Sequence, residues 1–176
     1  MKEAVQVNFG IVIFPPKDVQ DAANSYRKRF DPHYSLIQPH LTIRESESWD
    51  PPTLASAIER LSEAAAKLPP VEVKLNRFST FYPVSNVVYM ALENPKPLEL
   101  LHESVCDGPL AVRERRYSFT PHLTVAQGVG GDEMHDIYSS LRPIPLAFSF
   151  VVDRLHLLYQ TDNGAWTAHQ TFLLQG

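Results

Sequence analysis

A chain of 176 residues with 16 Lys+Arg, 20 Asp+Glu and a net charge of −4 has the size of one domain, and 44% hydrophobic with 20% charged residues excludes a globally disordered chain. The acidic balance excludes a protein that coats duplex nucleic acid, because such affinity comes from phosphate neutralisation, but leaves recognition of one phosphate or an RNA end open. No apolar run approaches the roughly 20 residues of a membrane span, the start MKEAVQVNFG has no signal-peptide core, and the single cysteine, Cys106, allows no internal disulfide and no cysteine zinc site. The expected protein is cytoplasmic and reduced, with no membrane partner, and with Cys106 as a small buried hydrophobe.

In chain order, Val7–Phe14 is a β-branched and aromatic run closed by Pro15-Pro16 and reads as a buried strand. Asp18–Phe30 has no breaker and reads as a helix stopped at Asp31-Pro32. Leu41–Arg44 is a short strand entered through Pro39. Thr53–Leu68 sets Leu54, Ile58, Leu61 and Ala65 at helical spacing before Pro69-Pro70. A strand Val71–Phe81, a loop Pro83–Asn86 and a strand Val87–Leu92 follow. The second half predicts a helix around Leu98–Cys106, a strand Leu123–Ala126, a helix around Asp132–Leu141 and a strand Ala147–Tyr159. Turn residues at Thr161–Gly164 precede a last strand, Ala165–Leu174.

An internal repeat underlies this order. Residues 39–43 read PHLTI and residues 121–125 read PHLTV. Tyr34-Ser35-Leu36 and Tyr117-Ser118-Phe119 precede them, and the segment Asn76–Tyr82 resembles Asp153–Tyr159. Two copies are too few for a solenoid. The pattern is that of one module duplicated and fused, which predicts an α+β chain with two sheet-plus-helix lobes about a pseudo-two-fold. A cleft between the lobes is the natural site.

Residues two apart on a strand share a face, so His40 with Thr42, and His122 with Thr124, present an imidazole beside a hydroxyl. Leu41, Ile43, Leu123 and Val125 then point into the packing. Two histidines in opposite protonation states can deprotonate a water and protonate a departing ribose oxygen near neutral pH. Threonine hydroxyls can donate to the phosphoryl oxygens, where negative charge grows. The scheme needs no metal and no cofactor. Asp153 and His156 fall on opposite strand faces with no third ligand nearby, so no metal site is expected there. Tyr82, beside Pro83, is a candidate to stack on a base. The clusters Arg27-Lys28-Arg29 and Arg113, Arg115, Arg116 read first as solvated faces and second as guides for an anionic substrate.

The duplicated H-x-T motifs, His40-Leu41-Thr42 and His122-Leu123-Thr124, resemble those of the two-histidine (2H) phosphoesterase superfamily, which includes bacterial RNA 2′,3′-cyclic phosphodiesterases long called 2′-5′ RNA ligases. Phe14-Pro15-Pro16, the run Ala23–Pro32 and Leu157-Leu158-Tyr159-Gln160 are similar to the small YjcG-type branch. The resemblance spans essentially residues 1–176 as a single bilobal domain. It implies two pseudo-symmetric lobes, each an antiparallel sheet with helices on its outer side, enclosing a central cleft. It also implies His40 and His122 as the acid/base pair, with Thr42 and Thr124 holding the phosphate. The expected activity is metal-independent hydrolysis, or reversible formation, of a cyclic 2′,3′-phosphate or a 2′-5′ phosphodiester. The partner is a small phosphate-containing substrate or an RNA end. A non-catalytic module that binds a terminal or cyclic phosphate is the alternative.

Two positions depart from the family pattern. Gln127 stands where many members carry Arg, and Arg44-Glu45-Ser46 follows the first motif where many carry an aromatic. By strand alternation Arg44 shares the face of His40 and is the candidate for the missing positive charge.

Overall fold

The computed structural model describes residues 6–113 and 117–176. Its elements are β1 (Val7–Ile13), α1 (Lys17–Phe30), β2 (Leu41–Trp49), α2 (Pro51–Lys67), β3 (Val71–Thr80), β4 (Val88–Leu92), α3 (Lys96–Val105), β5 (His122–Ala126), α4 (Gly131–Leu141), β6 (Phe148–Val152), β7 (Arg154–Gln160) and β8 (Trp166–Leu173), with a 3-10 turn at Gly108–Leu110. They build two four-stranded sheets, in the orders β2-β1-β7-β8 and β5-β4-β3-β6. Every pairing is antiparallel. The α+β architecture with two equivalent sheets is the one expected from the repeat.

Local chemistry sets the element ends. The Asp50 carboxylate accepts from Thr53 N at 2.8 Å and caps α2, whose first turn tolerates Pro51 and Pro52 because those N–H groups have no helical partner. In α1, Asp18 lies in the first turn and Arg27, Lys28 and Arg29 in the last, the charge order that the helix dipole favours. The 3-10 turn escaped the sequence reading; Asp107 closes it by accepting from Gly108 N at 2.9 Å.

The sequence halves are not the lobes. β3, from the first half, pairs with β4, and β7, from the second, pairs with β1. The two sheet orders superpose β2 on β5, β1 on β4 and β7 on β3. The matched segments Asn76–Tyr82 and Asp153–Tyr159 are thus true equivalents, each exchanged into the sheet begun by the other half. Helices cross over too, with α1 packing on β5 and α3 on β2 and β3. The buried cluster accordingly holds residues of both sheets, from Ile11, Leu41 and Leu157 to Met90, Leu123 and Val152.

The expected strand Ala147–Tyr159 is two strands, broken at Asp153. β6 pairs with β3 in the second sheet and β7 with β1 in the first. No glycine or proline interrupts residues 147–159, so nothing in the sequence marked the crossing. The Asp153 carbonyl at the break accepts from Leu174 N at 2.8 Å.

Each sheet turns one face to helices and one to the cleft. Ile11, Ile13, Leu41, Ile43 and Leu157 are core residues, whereas Val12, Thr42 and Leu158, on the alternate positions, line the cleft.

Candidate active site

Gln38-Pro39-His40 and Thr120-Pro121-His122 enter β2 and β5 by the same local geometry. His40 Nδ1 donates to the Gln38 carbonyl at 2.8 Å, and His122 Nδ1 donates to the Thr120 carbonyl at 2.7 Å. A carbonyl only accepts, so both protons of the neutral rings sit on Nδ1 and both Nε2 atoms are free bases. The alternation expected of the strands holds here. Leu41, Ile43, Leu123 and Val125 are fully buried, while His40, Thr42, His122 and Thr124 line a single cleft of about 430 Å³.

The two histidines sit in different fields. Burial pushes His40 down to about 4; Arg27 and His122 push the same way, and the Gln38 carbonyl and Asp31 resist. Burial also lowers His122, but the Thr120 carbonyl and the Glu45 carboxylate oppose it. At His40 Arg27 and Asp31 pull in opposite directions, whereas at His122 the Glu45 carboxylate raises the ring, and this breaks the pseudo-symmetry.

Glu45 is in the cleft because β2 is bulged. Val12 pairs with Thr42 and Ile11 with Arg44, and again Ile11 with Arg44 and Phe9 with Glu47, so β2 carries an extra residue twice. A bulge breaks strict alternation. Arg44 therefore does not repeat the orientation of His40 and Thr42: it borders the cleft, but its buried guanidinium turns to the core. Its Nε donates to the Leu110 carbonyl at 2.9 Å and its Nη2 to Glu47 at 2.7 Å, and it lies 5.5 Å over the Trp49 ring. That bond holds the Glu47 carboxyl below its ordinary range. Arg44→Met keeps the bulk and removes these charged bonds. We expect a stability loss of about 1.5–3 kcal/mol in urea denaturation, with KM little changed; an unchanged midpoint with a raised KM would instead place the guanidinium on substrate.

Tyr82 does not line the cleft. It is exposed and meets His135 edge-on at 4.6 Å. Its neighbour Phe81 is the residue at the site, 4.8 Å edge-to-face from His122 and 4.3 Å from Tyr89. Asp153 pairs with Arg154 and His156 Nδ1 lies 3.2 Å from Thr171 Oγ1. Among the described residues, no group of three or more His, Cys, Asp or Glu is placed to hold a metal ion.

A network missed in the sequence closes the wall beside His40. Arg27 and Asp31, read there as part of a charge run and a helix stop, form an ion pair whose side chains are each 2% exposed. Arg27 also donates to Asn24 Oδ1 and to the Ile37 carbonyl, both at 2.7 Å. Asp31 accepts from His33 N at 2.8 Å and from Gln127 Nε2 at 3.0 Å, and Gln127 Nε2 lies 3.0 Å from His33 Nδ1. The i,i+4 spacing at the end of α1 was the available signal. Lys28 and Arg29 are exposed, as expected of a solvated face. In the second cluster, Arg115 and Arg116 lie outside the described residues.

Residues 15–164 match the family model described as the 2′-5′ RNA ligase superfamily. A protein of Geobacillus kaustophilus that bears the name "Putative phosphoesterase" is 44% identical over 170 residues, 97% of this chain and 98% of its own. A Bacillus licheniformis protein with the same description is 45% identical over 168 residues, 96% and 99% of the two chains. Among solved structures, E. coli LigT complexed with 3′-AMP is similar with a TM-score of 0.75 at 14% identity, covering 98% of this chain and 100% of that one. LigT complexed with phosphate reaches 0.69 at 16% identity, over 97% and 99%. At those identities the likeness speaks for the fold. No helix among the described residues is long and apolar enough to cross a membrane.

Proposed function

This chain belongs to the 2′-5′ RNA ligase superfamily, the two-histidine phosphoesterases, and from that premise we propose that it hydrolyses a cyclic 2′,3′-phosphate or a 2′-5′ phosphodiester of an RNA end or nucleotide by acid–base catalysis between His40 and His122. The observation that carries this reading is the matched pair of Nδ1–H···O=C bonds, which leaves two free Nε2 atoms beside two threonine hydroxyls in one cleft. The binding of 3′-AMP and of phosphate by LigT supports a phosphate-bearing nucleotide as the ligand class.

Burial and the neighbouring charges together support one assignment of roles. With one proton shared by the pair, it rests on His122, where Glu45 opposes the burial that lowers the ring, and not on His40, which burial pushes down to about 4 with Arg27 adding to it and Asp31 resisting. His40 Nε2 then takes a proton from water as the water oxygen bonds to phosphorus. His122 Nε2–H gives its proton to the ribose oxygen as the P–O bond of the ring breaks. Thr42 and Thr124 donate to the non-bridging oxygens, where charge develops. Exchange with solvent moves the proton from His40 back to His122 after product leaves. Ligation is the same path reversed, with a ribose hydroxyl in place of water.

Activity therefore needs His40 neutral and His122 charged, which sets the pH profile. As pH falls through about 4, His40 takes up a proton and the acid limb is lost. As pH rises through the lowered His122 value, the general acid is lost. Glu45→Gln removes a charge that raises His122, so the alkaline limb of kcat/KM is expected to move to lower pH while the acid limb stays. A shift of the acid limb instead would reverse the assignment. The reading as a whole is tested by turnover of short RNAs ending in a 2′,3′-cyclic phosphate, and of free cyclic nucleotides, by the wild type and the two His→Ala variants. Binding of phosphate-ended RNA without turnover would replace it by the non-catalytic module.

A further inference from the structure

The cleft is lopsided, and the imbalance lies beside the phosphate-holding groups. Val12 and Tyr89 are equivalent under the pseudo-two-fold: each lies opposite the motif threonine, Val12 against Thr42 and Tyr89 against Thr124. On the second sheet, Tyr89 and Phe81 close over His122, with centroids 5.3 and 4.8 Å from its ring. On the first sheet the equivalent side chain is the short Val12, and the next residue on that face is Gly10, with no side chain at all. Beyond the histidines and threonines, the cleft accordingly extends over the first sheet, along Gly10, Leu158, Gln160, Gly164 and Trp166.

Trp166 is the aromatic in that arm. It begins β8 at the sheet edge, opposite Gln160, and its backbone N–H donates to the Leu36 carbonyl at 2.8 Å. A Cβ placed on Gly10 would lie 3.8 Å from its Cζ3, so the indole reaches inward across β7 to β1, within van der Waals contact of that position. It is only half-buried, unlike Trp49, which is 4% exposed in the core. Gly10 is two residues along β1 from Val12 and one strand from Thr42, about 8 Å away by strand rise and spacing. That is the reach of a ribose between its phosphate and its base.

We propose that the arm of the cleft over the first sheet is the subsite for a planar heteroaromatic base carried by the phosphorylated substrate, with the Trp166 indole as its stacking platform. The proposal rests on the reading of the His/Thr cluster as the phosphate site. It makes the substrate a nucleotide or RNA end that lies from Thr42 toward Trp166. The opposite direction, past His122, is closed by Phe81 and Tyr89.

The test is titration calorimetry on the full chain with 2′- and 3′-nucleoside monophosphates, ribose 5-phosphate and inorganic phosphate. The wild type is expected to bind the nucleotides more tightly than ribose 5-phosphate. Trp166→Ala should weaken nucleotide binding about tenfold, the scale of one base–aromatic stack, and leave inorganic phosphate unchanged. Gly10→Val retains the tryptophan but fills the floor of the arm beside its ring, and should weaken the nucleotides in the same way if Trp166→Ala fails to fold. Quenching of tryptophan fluorescence by the nucleotides, present in wild type and lost in Trp166→Phe, would support the stack directly. Nucleotides bound no better than ribose 5-phosphate, or equally well by the two substituted proteins, would overturn the subsite while leaving the phosphate site standing. A wild type that binds none of the four would overturn the phosphate site and the subsite with it.

Discussion

His40→Ala and His122→Ala are each expected to lower kcat for a 2′,3′-cyclic phosphate by about 10²–10⁴-fold, the range for loss of a positioned general acid or base, without unfolding the protein. Both side chains are half-buried and bond a local carbonyl two residues back; His40→Ala removes little packing, while His122→Ala also loses the edge contacts with Phe81 and Tyr89. The two losses should not add. Base and acid act in one displacement, and once either is gone the other has no partner step to assist. The double variant should therefore resemble the worse single one, retaining what the threonines contribute through the non-bridging oxygens. Single-turnover rates at saturating substrate, beside thermal melts, would check this. Full activity in either single variant sinks the two-histidine mechanism.

The H-x-T pairs were legible because strand alternation is a strong rule and both motifs precede their bulges: Leu41 and Ile43 point inward, so His40 and Thr42 point outward. The rule failed within two residues. Arg44 should have shared the face of Thr42, but two extra β2 residues against β1 turned its guanidinium to the Leu110 carbonyl and left Glu45 in the cleft. A bulge follows from cross-strand pairing, which a single strand's sequence does not contain. The same holds for Phe81 and Tyr82. Adjacent aromatics on one strand end face opposite ways, and only the position of His122 shows which one belongs to the site. Asp153 is the third case. A run of β-favouring residues without glycine or proline read as one strand, although the chain leaves one sheet and joins the other there. The repeat itself marked β3 and β7 as equivalents, but not that each would serve the sheet begun by the other half.

Asp31→Ala is expected to cost about 3–5 kcal/mol, the scale for removing one partner of a buried ion pair, and to lower Tm by on the order of 10 °C for a chain of this size. The pair side chains are each 2% exposed, so the substitution strands the Arg27 cation in the wall beside His40. The Lys17–Asp21 pair, with side chains 88% and 63% exposed, is the internal control. Its removal should leave the urea midpoint essentially unchanged, because both charges stay solvated. Asp31 also accepts from Gln127 Nε2, and the Gln127 backbone N–H donates to the Phe30 carbonyl at 3.1 Å. Through this carboxylate and that backbone bond the end of α1 is fastened to the segment that follows the second motif. Adding Arg27→Met to Asp31→Ala removes the stranded charge and should recover part of the loss, which the single change Arg27→Met cannot do. A double-mutant cycle in urea, read beside kcat, separates the two roles of the pair. Coupling above about 1 kcal/mol with a fall in kcat means that the pair both holds the wall and sets the field at His40. An Asp31→Ala protein as stable as wild type would mean that water enters this wall and that the charge asymmetry between the histidines is smaller than the geometry implies.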